Sequence, residues 1–282
     1  MFVVTGATGT VGSLVVQKLL AAGVDVRAVS RKPPANRVEG LEWFTGDLDD
    51  PASLGGLCTD ADGVFLVSSG PTIADQDRTV VTLAASAGVG RVVKLSALSV
   101  AHGGQDRISV WHRAGEQAVF DSGLNWSLLR ANGFMSNALN WADSIKYTGA
   151  VYAPYADGRT ALIDPDDIAG CGVTCLLKSG HSGQAYELSG PQALTVAEQV
   201  ATIGAAIDRQ PSYNEVTPAV ARDGMIEHGM PADVADAVLG TLESATTDFA
   251  AVPSPQVAAL LGRPPTTFAQ WAQTHREAFS TS

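Results

Sequence analysis

The sequence predicts a doubly wound α/β fold with a smaller, mainly helical C-terminal lobe. Three observations carry that expectation: β-branched runs alternating with helical segments, a glycine-rich loop at the first strand-to-helix junction, and a change to helical, proline-broken sequence beyond Arg130. Phe2-Val3-Val4-Thr5 is an unbroken apolar and β-branched run, as in a strand buried on both faces. After the loop, Val11, Leu14, Val15 and Leu19 recur at helical spacing, and Gly23 is placed to end that helix. Strands are expected at 24–30, 41–45, 64–68, 92–96 and 125–129, with helices at 75–87 and 110–122 between the later ones. Such alternation implies right-handed crossovers and a parallel sheet. Beyond Arg130, segments 150–155 and 184–188 read as separate strands around a helix that opens at Asp166-Asp167. From Thr195 onward the chain is mainly helical, broken at Pro211, Pro218, Pro231, Pro253 and Pro255, and Pro264-Pro265.

Composition narrows the function. The 282 residues are 45% hydrophobic and 17% charged, ample for a packed core. A net charge of −11 repels phosphate backbones, and no basic patch offsets it, so no nucleic-acid partner is expected. Cys58, Cys171 and Cys175 read as packing residues, and no His, Cys or Asp cluster has metal-ligand spacing, so no metal is expected. No basic leader precedes the first strand, and no apolar run reaches the roughly 18 residues of a membrane span. The expectation is a cytoplasmic protein without a membrane partner, monomeric or homodimeric.

The segment Thr5-Gly6-Ala7-Thr8-Gly9-Thr10-Val11-Gly12 carries the most information. Gly6 allows a tight turn, Gly9 lets backbone approach a pyrophosphate, and Gly12 lets the helix pack close to the strand. Thr8, Thr10 and Val11 complete a loop that delivers the helix N-terminus to an anion. This is the dinucleotide site of a Rossmann-type fold. It assigns residues 1–150, with a returning strand near 184–190, to cofactor binding, and 151–282 to a substrate-binding lobe. The second strand ends Ser30-Arg31-Lys32, where NAD sites carry an acid. Two cations and a hydroxyl suit a 2′-phosphate, so the expected cofactor is NADP(H). Asp47-Leu48, after the third strand, sits where adenine would lie, although Asp47 also suits a helix cap.

Taken together, these residues resemble the NmrA-like group of atypical short-chain dehydrogenase/reductases, most of all its NAD(P)H:quinone oxidoreductase branch. The resemblance runs through Thr5 to Gly12, Gly46-Asp47-Leu48, Phe65-Leu66-Val67-Ser68-Ser69, His112 with Glu116, and Leu128-Leu129-Arg130 with Phe134 and Asn137. It continues through Ile163-Asp164 to Ile168-Ala169, Tyr186 to Gly190, and Leu261 to Phe268. It implies that Ser68 and Ser69 touch the cofactor, and that Trp111, Phe134, Met135 and Asn137 line a substrate pocket. Many short-chain dehydrogenases carry Tyr-x-x-x-Lys on the helix after the fifth strand. Here that helix offers Trp111 and Gly115, or His112 and Glu116, and none of the five tyrosines lies in it.

The missing tyrosine points to the acceptor. A reduced quinone leaves as a phenolate-like anion with a pKa near ~10, whereas an alkoxide needs a strong positioned acid. The leading expectation is an NADPH-dependent reductase of small aromatic, quinone-like or other conjugated acceptors. His112 is the side chain placed to donate a proton, with Glu116 one turn on and able to raise its pKa, although such a pair also suits a helix surface. Ser96, at a strand end, can bond substrate or nicotinamide, or simply form a turn. Lys94 interrupts an apolar strand, so either it reaches the cofactor or the strand end is wet. Two other readings stay open: a non-catalytic NADP(H) sensor, and a biosynthetic reductase, isomerase or dehydratase acting on an aromatic polyketide-like substrate.

Overall fold

The computed structural model describes residues 1–34 and 38–280. The first half comprises β1 (Phe2–Val4), α1 (Thr10–Ala21), β2 (Val26–Ser30), β3 (Leu41–Thr45), β4 (Gly63–Leu66), α2 (Ile73–Ser86), β5 (Arg91–Ala97), the single turn α3 (Leu98–Ala101), α4 (Arg107–Asp121) and β6 (Trp126–Ala131). The second half comprises α5 (Ala142–Tyr147), β7 (Ala150–Ala153), α6 (Pro165–Leu177), β8 (Gln184–Leu188), α7 (Val196–Ala206), β9 (Ser212–Glu215), α8 (Pro218–Glu227), α9 (Ala232–Ser244), α10 (Gln256–Leu261) and α11 (Phe268–Thr274).

Seven parallel strands form one sheet in the order β3-β2-β1-β4-β5-β6-β8, with Val3 opposite both Arg27 and Val64. The strand order reverses between β1 and β4, which opens a crevice at their carboxyl ends. The sheet is buried on both faces. Val4, Phe65, Val93 and Leu129 pack with Val15 and Leu19 of α1 and Ile168 of α6. On the other face, Val64, Leu66, Val92 and Leu128 pack with Val80 of α2 and Val119 of α4. That double burial is why these strands read as apolar runs rather than alternating ones.

The C-terminal lobe has its own core, in which Ile145, Val151, Val200, Ile203, Phe268, Trp271 and Phe279 surround Met135, beside the small parallel β7–β9 sheet. The core of the main sheet also draws on residues beyond 150, besides the returning strand expected near 184–190. Ile168, Cys171 and Leu176 of α6, with Leu260 of α10, belong to the main sheet's core, so α6, β8 and α10 complete the first unit. The lobe is threaded between them. The chain returns to the main sheet because β6 still has an open edge, which β8 fills.

All three cysteines are buried and free. Burial pushes the Cys58 thiol up to about 11 and those of Cys171 and Cys175 up to about 12. No helix among the described residues is long and apolar enough to cross a membrane, and none of their His, Cys, Asp and Glu groups could hold a metal.

Candidate active site

The carboxyl ends of β1, β2, β3, β4 and β5 lie side by side, so the sequence-predicted cofactor residues converge on one edge of the sheet. At the crevice, the Thr5 hydroxyl donates to the carbonyl of Val67 at 2.8 Å and accepts from its N–H at 2.7 Å. This clamp fixes the glycine loop against the end of β4. Gly6 has φ +58°, a conformation that favours glycine, and its carbonyl accepts from Gly9 N–H at 2.9 Å. A Cβ on Gly12 would lie 2.2 Å from the Gly6 carbonyl oxygen, so only glycine lets α1 start this close to β1. Thr8, Gly9 and Thr10 are exposed, no side chain caps α1, and no acid lies in its first turn. The free N–H groups and the bare dipole of α1 therefore face outward, as a pyrophosphate requires. Val11 is buried beneath them and anchors the helix.

The adenosine end is equally open. Arg31 and Lys32 are exposed, and neither pairs with an acid among the described residues. The Ser30 hydroxyl accepts from Lys32 N–H at 3.2 Å, turning the chain so that both cations follow β2 directly. Asp47 Oδ1 accepts from Asp49 N–H at 3.1 Å, and Leu48 packs on the second core. The helix cap expected of Asp47 belongs to Asp50, which accepts from Ala52 N–H at 3.2 Å, because the single 3₁₀ turn begins later than the pattern suggested.

Beside Ser69 lies a network that sequence reasoning missed. Gln76 accepts from Ser69 N–H at 3.2 Å and donates to Asp49 at 2.8 Å, and Thr72 donates to Asp49 at 2.7 Å. These two bonds, more than burial or the nearby Arg31 charge, hold the Asp49 carboxyl below its usual range.

The proposed catalytic residues gather at the ends of β4 and β5 under α4, but their partners differ from those expected. Lys94 is wholly buried, and its Nζ lies 2.5 Å from Asp77 Oδ2 on α2. The strand end is therefore dry, and the ammonium is committed to Asp77, whose other oxygen accepts from Ser68 at 2.7 Å. Glu116 does not serve His112. It turns inward to take both Nε and Nη2 of Arg130, at 2.9 and 2.6 Å, and the hydroxyl of Ser96 at 2.7 Å. Ser96 is thus committed as a donor and faces any further partner with lone pairs only. The His112 pKa is lowered rather than raised, to about 3, first by burial, then by the Lys94 charge, with Asp106 opposing. An imidazole held so low is neutral across the physiological range.

Among the expected pocket residues, Trp111 and Phe134 are half-buried and Asn137 is exposed. Met135 is corrected to a packing residue: it is 1% exposed and packs in the core of the C-terminal lobe. A thioether at helical spacing satisfies a core as readily as a pocket.

Comparison with known proteins follows from this geometry. The profile of a family described as NAD(P)H-binding matches residues 6–178, from Gly6 of the glycine loop through β6 to the end of α6. The chain belongs to the NAD(P)H-binding family. This reductase is an NmrA-like atypical short-chain dehydrogenase and an NAD(P)H-dependent oxidoreductase. It is 40% identical over 283 residues to the (4-alkanoyl-5-oxo-2,5-dihydrofuran-3-yl)methyl phosphate reductase of Streptomyces griseus subsp. griseus, with 99% of each chain covered. It is 35% identical over 285 residues to the NAD(P)H azoreductase of Xenophilus azovorans, again covering 99% of each. Its fold matches the NADPH complex of the Escherichia coli quinone oxidoreductase QOR2 with a TM-score of 0.86 at 26% identity, covering 97% of this chain and 99% of that one.

Proposed function

We propose that this reductase uses NADPH to reduce a small quinone-like or otherwise conjugated acceptor bound between the sheet edge and the C-terminal lobe. One observation carries the reading of the acceptor. No tyrosine lies on α4, and the titratable group in its place, His112, is held at a pKa of about 3, so the site lacks a strong acid for an alkoxide. The acceptor must then bear its own charge as a weakly basic anion, which a conjugated oxygen does. Bound NADPH supplies the hydride, and the protein supplies position and electrostatics.

In this reading Gly6, Thr8, Gly9, Thr10, Val11 and Gly12 hold the pyrophosphate, Ser30, Arg31 and Lys32 the 2′-phosphate, and Asp47 with Leu48 the adenine side. Ser68, Ser69 and Ser96 face the nicotinamide half, where the Arg130–Glu116 pair fixes the lone pairs of Ser96. Trp111, Phe134 and Asn137 form the acceptor's walls. The names of the relatives support the class, since a quinone, an azo compound and an unsaturated furanone are all reduced by them.

The test is NADPH oxidation, followed at 340 nm, with a panel of quinones, azo dyes and saturated ketones, and with NADH run in parallel. Turnover of the conjugated acceptors alone, with NADPH preferred, is expected. Equal turnover of a saturated ketone would overturn the reading, because it demands an acid that His112 cannot be.

A further inference from the structure

Helix α4 rests on a buried charge pair. Lys94 and Asp77 are both completely buried, and Asp77 is further bonded by Ser68. A Cβ on Gly115 would fall 2.1 Å from Asp77 Oδ2 and 2.9 Å from Ile73 Cγ2, so the α4 backbone lies directly on the carboxylate. His112 stands one turn earlier on the same face. Its Nδ1 is sealed from solvent and has no hydrogen-bond partner, whereas Nε2 is not among the sealed atoms. A buried N–H without an acceptor is costly, whereas a lone pair in the field of an ammonium is favoured. The ring's proton therefore belongs on Nε2, the open nitrogen.

We propose that His112 is a permanently neutral hydrogen-bond donor, its proton held on Nε2 by the Lys94–Asp77 pair beneath it, and that this donor steadies the oxyanion developing on the acceptor. The proposal rests on the reading of the site as a reductase of conjugated acceptors. Lys94 and Asp77 are positioning residues, and His112 is the group that meets substrate. Reduction delivers two electrons and one proton to the conjugated system and leaves negative charge on its oxygen. A neutral imidazole N–H is a weaker acid than a phenol, so it donates a hydrogen bond without surrendering its proton, and the oxygen later takes a proton from water.

The charges around the ring favour this state on balance. Lys94 on β5 disfavours the imidazolium more than Asp106, at the start of α4, favours it. Asp77 on α2 is engaged by Lys94 and Ser68, and Glu116 by Arg130 and Ser96. On α9, which packs against α4, Asp236 is taken by Arg222.

Two measurements test the proposal. In cofactor-free protein labelled at the histidine nitrogens, with the signal assigned by its loss in His112→Gln, NMR should find His112 neutral and protonated on Nε2 from about pH 5 to about pH 9. In the paired variant Lys94→Met with Asp77→Asn, the same ring should titrate higher than in the unaltered protein, yet still below its ordinary value of about 6.5, because its burial remains. Ordinary titration in the unaltered protein, or a proton on Nδ1, would overturn the proposal.

The second measurement is turnover. His112→Gln keeps a neutral N–H donor and should stay within about tenfold of the parent in kcat, while His112→Leu should lose about 100-fold. Equal losses in the two variants would sink the donor role. If the unaltered protein turned over no acceptor at all, the functional reading would fall, and the NMR result would still decide the protonation state.

Discussion

The hydroxyl of Thr241 on α9 donates to Asp106 Oδ1, the N-cap of α4, at 3.0 Å, tying two elements 135 residues apart. The same carboxylate accepts from Ser109 N–H at 3.0 Å. One acid thus caps the helix that carries His112 and pins the C-terminal lobe to it. Burial pushes this carboxyl up, but the bonds from Ser109 and Thr241 outweigh it and hold the pKa below the ordinary value.

A carboxyl depressed in the folded state stabilises above its unfolded pKa, and that stability is lost as pH falls through the folded pKa. Asp106→Ala should therefore destabilise the protein by about 1–2 kcal/mol at neutral pH, with the deficit shrinking below about pH 4. Denaturant unfolding at several pH values reads this directly. A deficit that did not change with pH would refute the ionic cap.

Arg31 follows β2 and forms no ion pair among the described residues. Replacing it with alanine should weaken NADPH binding by about 1–3 kcal/mol while leaving NADH binding nearly unchanged. Calorimetric titration with both cofactors checks this, and an equal loss for both would remove Arg31 from the 2′-phosphate site.

Glu116 is 2% exposed and pairs with Arg130 at 2.6 Å. Arg130→Met should cost about 2–3 kcal/mol, somewhat below a fully buried pair because Arg130 still reaches solvent. Adding Glu116→Leu should recover much of that loss, since the stranded carboxylate is its source. Thermal unfolding of the two variants decides the matter, and a double variant no more stable than the single would reject it.

Gly12 allows no side chain. Gly12→Ala should lower stability by at least about 2 kcal/mol and abolish NADPH binding, because the methyl meets backbone that cannot yield. Retained cofactor affinity would mean that the loop tolerates a displaced helix.

The sequence was legible wherever the physics is local. Phe2 to Gly12 announced a strand, a turn and an open helix end because each property resides in neighbouring residues. The cations at 31 and 32 were legible for the same reason. What escaped were pairings between distant segments. Lys94 signalled a buried charge, but its partner lies on α2, where Asp77 interrupts the apolar stripe of Ile73, Val80, Val81 and Ala84. That interruption was the available clue. Glu116 stands at helical spacing from His112, and only the fold reveals that α4 turns the carboxylate toward β6. Likewise, nothing local marks α6 as packing on the main sheet.

The buried cysteines have a chemical consequence. Quinones are electrophiles that arylate thiolates, and a protein that handles them risks modification by its own substrates. Here every thiol is withdrawn from the surface and held protonated, at about 11 for Cys58 and about 12 for Cys171 and Cys175. The chain therefore presents no soft nucleophile to such a compound, and its activity should survive alkylating reagents and the absence of a thiol reductant.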